Sequence, residues 1–334
     1  MISREKSIII RGVAIIIVLI SHYSGWMYYG IVHENVRYFL STLGPWGVDI
    51  FFLLSGYGLV KSLNKGFEGR ASISFLVKRL ITVYIPYIAI ATAIMIFSGS
   101  FKKLEKNSII KLITGFNYWY IFVMMILYFI FAFACFVATN DDFRLIIIFL
   151  SVTVFSIILY KFKMQDFWYI SNLSFFVGCF AAFKEKLLCD ETGKLRKRVI
   201  FCGLSAMGIA SLLFLLLYFN AVSLNPLGGL SYKLLFNVVF PCAVILCMYL
   251  IPDIGKKEGL PVKAIMLLGS YSLYIYLMHT SVFWLIIENI SSLNYILACI
   301  IIFITTVIIS LAVGLIITRF ICEPLIKRLN KDKF

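Results

Sequence analysis

Apolar runs separated by short polar segments recur along the whole chain, at 8–27, 44–60, 80–98, 118–138, 143–160, 168–184, 199–219, 233–251, 265–287 and 294–321. Each is close to the roughly 20 residues with which a helix crosses a bilayer, and lipid admits only segments that satisfy their own backbone groups. The pattern predicts an all-α polytopic membrane protein of about ten transmembrane helices. It predicts one domain over 1–334, with no appended soluble domain and no internal repeat. Arg4 and Lys6 ahead of the first run imitate a signal peptide. That run is too long, carries Arg11 and His22, and lacks a small-residue cleavage site, so it is expected to stay as the first helix.

Composition agrees: 62% of residues are hydrophobic and 14% charged, with mean hydropathy +0.98, where a soluble globule carries nearer a quarter charged residues. The net charge of +15 suggests no nucleic acid, because no soluble region is left to bind it. It sets the topology instead. With the N-terminus in the cytoplasm, 23 of the 31 Lys and Arg fall on the inner side and 8 on the outer. The positive-inside rule then places both termini in the cytoplasm. Lys102, Lys103, Lys106 and Lys111 dissent in the outer loop 99–117. Their interleaving with Phe101, Leu104, Ile109, Ile110 and Ile113 predicts a helix lying in the interface. The eight cysteines are scattered without a CxxC, which gives neither a disulfide framework nor a metal site.

Against this background the intramembrane titratable groups stand out, since burying them is costly and such residues are functional candidates. Arg11 and His22 are eleven residues apart in the first run, about 16 Å of helix and three turns, on nearly one face. Counting from the loops puts His22, Asp49 and His279 in the outer third of the first, second and ninth spans. A histidine takes a proton from a hydroxyl and returns it to a leaving group. A carboxylate beside it fixes the tautomer, and a second imidazole can steady a developing oxyanion. The alternative for each is a satisfied polar contact between helices, and proton relays in carriers use the same residue types. Trp46, Tyr118, Trp119, Tyr120 and Trp284 sit near predicted outer ends, where aromatic belts are normal.

These residues spell a family. Arg11-Gly12 with His22, then GVDIFFLLSGYGL, FLVKRLITVYIPY, WYI and YSLYIYLMH, resemble the acyltransferase-3 family of bacterial integral-membrane O-acyltransferases, in order and spacing from residue 5 to about 325. The resemblance implies a ten-helix protein that takes an acyl group, usually acetyl from acetyl-CoA, and places it on a carbohydrate hydroxyl. It carries over Arg11 and His22 as the functional pair of the first helix, Asp49 with Ser55 and Gly56 in the second, and Lys78, Arg79 and Pro86 in the inner-loop motif. Many members have a second arginine three residues after the one matched by Arg79. This chain has Thr82 there.

The expectation is therefore an O-acetyltransferase of the bacterial plasma membrane acting on a cell-surface polysaccharide or its lipid-linked precursor. Cytoplasmic acetyl-CoA would be its donor and membrane lipid its surroundings, with no metal. His22 would be the general base, oriented by Asp49 and assisted by His279. Arg11, Lys78 and Arg79 would receive the donor. The rival readings are a carrier or flippase for a lipid-linked glycan, and an acyltransferase using succinyl or another acyl group. A carrier would more often show repeats or broken helices in matched halves.

Overall fold

The computed structural model describes residues 2–26, 34–41, 43–63, 76–99, 105–185, 226–250, 259–290 and 295–331. Every regular element among them is helical: α1 Arg4–Trp26, α2 Glu34–Ser41, α3 Gly44–Leu63, α4 Leu76–Phe97, α5 Lys106–Thr114, α6 Trp119–Val137, α7 Asp141–Lys161, α8 Asn172–Phe183, α9 Pro226–Leu250, α10 Leu260–Ser270, α11 Ser272–Ile290, α12 Tyr295–Ile317 and α13 Glu323–Lys331. Six of them are long and apolar enough to cross a membrane, or seven if α10 and α11, interrupted at Tyr271, count as one. The expected run 199–219 lies outside the described residues. The run 168–184 yields only the 12-residue α8, shorter than the roughly 20 residues a span needs. The protein is a multi-pass helical membrane protein, and six or seven such helices stand among the described residues where ten were expected.

The chain folds as two compact units. In the first, residues 1–69 and 133–269, α3 packs against α1, α8 and α9. Its contact with α8 is close because glycines face backbone on both sides. A Cβ on Gly56 would overlap the Phe175 carbonyl oxygen, and one on Gly178 the Leu53 carbonyl oxygen. Small residues let helix backbones touch where lipid offers no hydrophobic drive. Phe52, Leu53, Leu59 and Phe175 are buried around this seam. The far side of α7 is apolar but exposed, as at Ile146, Leu150 and Val154, which suits lipid and not water. Asn140 caps α7 by accepting from the Asp142 N–H at 2.7 Å.

A polar knot ties the ends of α1, α3, α8 and α9. Glu185, just past α8, is paired with Lys61 and accepts the Tyr57 hydroxyl at 2.6 Å. Tyr57 in turn accepts the Ile2 N–H at 3.2 Å, and Tyr249 donates to Glu185 at 3.4 Å. Burial pushes the Glu185 carboxyl up, but the hydrogen bonds from Lys61 and Tyr57 and the Lys61 charge outweigh it, leaving the group below its ordinary value.

The second unit holds residues 70–132 and 270–334. Its α4 contains a π-turn at Leu80–Tyr84, and α12 runs into another at Thr318–Cys322. The Cys322 thiol donates to the Ile81 carbonyl at 3.3 Å, joining the two irregular stretches. Thr82, where the second arginine was expected, turns back and donates to the Lys78 carbonyl at 2.9 Å. The loop 99–117 does contain a helix, α5, with Ile109, Ile110 and Ile113 exposed. Gly115 ends it at φ 80, a left-handed cap. Tyr87 donates to the Leu112 carbonyl at 2.7 Å and Tyr84 to the Ile113 carbonyl, so two tyrosines of α4 hold the last carbonyls of α5.

Candidate functional site

Arg11, His22 and Asp49 belong to the first unit, while Lys78, Arg79 and His279 belong to the second. Arg11 is half-buried on α1 and donates to the Ser7 hydroxyl one turn earlier, at 3.2 Å. Beside it, Gly12 meets the Ile265 backbone of α10 so closely that a Cβ there would overlap the carbonyl. His22 is half-buried one turn before the end of α1, between buried Ser21 and Tyr23. The Ser21 hydroxyl donates to the Ser41 carbonyl at 2.7 Å.

The packing of α3 on α1 fixes the depth of Asp49. A Cβ on Gly44 would lie 2.8 Å from the Ser21 hydroxyl, and one on Gly47 would lie 2.5 Å from Val18 and 2.8 Å from the Ala14 carbonyl. The helices are therefore antiparallel, and the pairings of Gly44 with Ser21 and Gly47 with Val18 put the backbone of Asp49 level with about residue 16. That is about six residues, or roughly 9 Å, toward the N-terminus of α1 from His22. This corrects the expected common depth of Asp49 and His22. The reason is an offset between helices: α1 extends beyond the level at which α3 begins, which loop counting cannot register.

Asp49 is fully buried, and its hydrogen bond goes elsewhere than to an imidazole. The Ser174 hydroxyl of α8 lies 2.7 Å from Asp49 Oδ1 and 3.1 Å from the Asn237 carbonyl of α9. Ser171 presents a second hydroxyl to the same carboxyl group, and Asp49 Oδ2 has no hydrogen-bond partner. Among the described residues no hydrogen bond joins Asp49 to His22, so the tautomer-fixing contact expected between them is not made. The Asn237 carbonyl is open to Ser174 for a local reason. Pro241, four residues on, has no N–H to give it, and serine hydroxyls commonly take up carbonyls that proline frees. Ser174, Asn237 and Pro241 were not singled out from the sequence. The available signal is the proline inside an apolar run, which withholds the usual backbone N–H from the carbonyl at i−4.

In the second unit His279 is buried on α11, with Nδ1 at 2.6 Å from the Tyr276 carbonyl. A carbonyl only accepts, so Nδ1 carries the proton and Nε2 is the acceptor nitrogen. The Thr280 hydroxyl lies 3.4 Å from it. Tyr276 packs on Tyr120, ring centroids 4.8 Å apart, and against the His279 ring at 5.6 Å. Arg79 lies over the Tyr128 ring at 5.7 Å, and the Lys78 carbonyl is the one occupied by Thr82.

A family model described as an acyltransferase domain, acyltransferase-3 by name, matches residues 6–315. No curated protein and no solved structure matches the chain.

Proposed function

The chain belongs to the acyltransferase-3 family, and from that premise we propose that it is an O-acetyltransferase of the bacterial plasma membrane. It moves acetyl from acetyl-CoA to a hydroxyl of a cell-surface polysaccharide or its lipid-linked precursor. The observation that carries this reading is the pair on α1, with Arg11 about 16 Å from His22 along one helix face. The pantetheine arm of CoA is long and thin, and a donor whose phosphates wait near Arg11 has its thioester directed toward the imidazole. Arginine's planar fork suits phosphate or an amide carbonyl, and Lys78 and Arg79 add cationic groups for the same donor.

In the reaction the acceptor hydroxyl gives its proton to His22 as its oxygen attacks the thioester carbonyl. The carbon–sulfur bond then breaks, and the CoA thiolate takes the proton back from the imidazolium. The products are the ester and free CoA thiol, and the histidine is restored. The family motif YSLYIYLMH also offers His279, whose acceptor Nε2 suits a hydroxyl. Asp49 supports His22 through the helix that carries it, not by touching it.

The test follows acetyl transfer from radiolabelled acetyl-CoA to polysaccharide in membrane vesicles. His22→Ala is expected to lose about 10²–10⁴-fold, the worth of a general base, at unchanged protein level. Wild-type transfer by this variant would remove His22 from the chemistry.

A further inference from the structure

We propose that α5 is a docking surface for anionic phospholipid: its isoleucines enter the bilayer, and Lys106 and Lys111 bind the headgroup phosphates beside it. None of its nine residues is buried, and they divide round the helix axis into three sectors. Ser108 and Leu112, both half-buried, face the rest of the second unit, and the buried Gly115 continues their line. At about 100° per residue, Ile109, Ile113 and Ile110 stand about 60–160° from Leu112 in one direction, and Lys111, Asn107 and Thr114 about 100–160° in the other. All six are exposed. A helix at the rim of a membrane protein meets protein, lipid and water, and each sector matches one of these. Lys106 falls in the isoleucine sector, one turn ahead of Ile109 and Ile110. A lysine there lays its stem along the apolar residues and lifts its ammonium to the phosphates.

The surroundings say what covers the isoleucines. Exposed apolar surface continues onto α4, where Ile96 and Phe97 end a helix long and apolar enough to cross a membrane. The tie between α4 and α5 runs from Tyr84 and Tyr87 to the last carbonyls of α5. It fixes the helix in place and uses none of its exposed side chains. Charge then selects the headgroup. Residues 99–117 hold four lysines, Lys102, Lys103, Lys106 and Lys111, against one acid, Glu105, with Lys102 and Lys103 outside the described residues. The positive-inside count puts this segment on the outer side, so topology does not account for its cations. Binding to phosphate does, since each lysine close to an anionic surface strengthens binding about fivefold.

Amide exchange over residues 105–118, read by mass spectrometry on the whole protein, tests this in vesicles of phosphatidylcholine alone or mixed with phosphatidylglycerol. Docking protects α5, so the anionic lipid should slow its exchange roughly ten- to thirtyfold, the joint worth of two lysines. High salt should cancel the difference. The uncharged middle of α7, 145–158, is the internal control and should exchange alike in both vesicles. Lys106→Gln/Lys111→Gln should lose most of the response to phosphatidylglycerol, and Lys106→Arg/Lys111→Arg, which keeps both charges, should retain it. Ile109→Ser/Ile113→Ser should exchange faster in both vesicles. Equal exchange of wild type in the two vesicles would overturn the proposal, as would a full response in the double glutamine variant. Protection that rises with the protein-to-lipid ratio whatever the headgroup would also overturn it, and would put a second copy of the chain in place of the bilayer. None of these readings needs acyl transfer, so they are decided apart from the proposed function.

Discussion

Replacing Gly178 by alanine separates packing from propensity, because the two pull in opposite directions. On a helix interior the added methyl contributes about 0.5–1 kcal/mol of stability by restricting the unfolded chain. At Gly178, however, the new Cβ would fall onto the Leu53 carbonyl oxygen and within 2.9 Å of the Tyr57 nitrogen. Backbone cannot swing aside as a long side chain does, so α3 and α8 must part by about 1 Å to regain ordinary contact. Overpacking of this kind costs about 1–3 kcal/mol, so the net effect is destabilising. The same separation would carry the 2.7 Å contact of Ser174 with Asp49 beyond about 3.5 Å, outside hydrogen-bond range. Gly58 on α3 is the control, since nothing lies within 4 Å of a Cβ built there. Gly58→Ala is expected to be neutral or slightly stabilising. Membrane abundance and the thermal midpoint of the detergent-solubilised protein read both variants. Equal midpoints for Gly178→Ala and Gly58→Ala would refute the close approach of α3 and α8.

Two further outcomes follow from other residues. Arg11→Lys keeps the charge at the Ser7 end of α1 but loses the planar fork. The KM for acetyl-CoA should rise while acceptor dependence stays as in wild type, and an unchanged donor response in vesicles would leave Arg11 only an anchoring role. Glu185 has a folded value lowered by Lys61 and Tyr57. Its contribution to stability is therefore present above the ordinary carboxylate value of about 4.3 and lost as pH falls through the lower folded value. The thermal-midpoint difference between wild type and Glu185→Gln should shrink on acidification through that window, and a difference independent of pH would contradict the assignment.

Much of the fold was legible because it obeys hydropathy alone. The run predicted at 143–160 is α7, Asp141–Lys161, and the amphipathic loop segment is α5. What failed has a common cause. Apolar length locates a helix but not its height against a neighbour, so counting from the loops puts Asp49 level with His22 although Gly47 seats against Ala14 and Val18. Nor does a local pattern reveal partners distant in sequence. Ser174 lies 125 residues from Asp49, in a run whose one charged residue, Lys184, stands at its far end. The break at Tyr271, within a run expected to be continuous over 265–287, falls in Gly269-Ser270-Tyr271-Ser272, a polar interval that total hydropathy conceals.

The π-turn of α4 carries one residue more than a regular turn would, and that surplus has a consequence for how such chains tolerate length change. A single-residue deletion within Leu80–Tyr84 would restore an ordinary α-helix at no loss of backbone hydrogen bonding. Because the turn itself takes up the surplus residue, the helix on either side would keep its face, so Arg79 could stay over Tyr128 while Tyr87 kept the Leu112 carbonyl. A residue lost from a regular turn of α4 would instead rotate one end by about 100° against the other and break one of these contacts. The irregular stretch is thus the place in α4 where the chain can shorten without setting its two ends against each other.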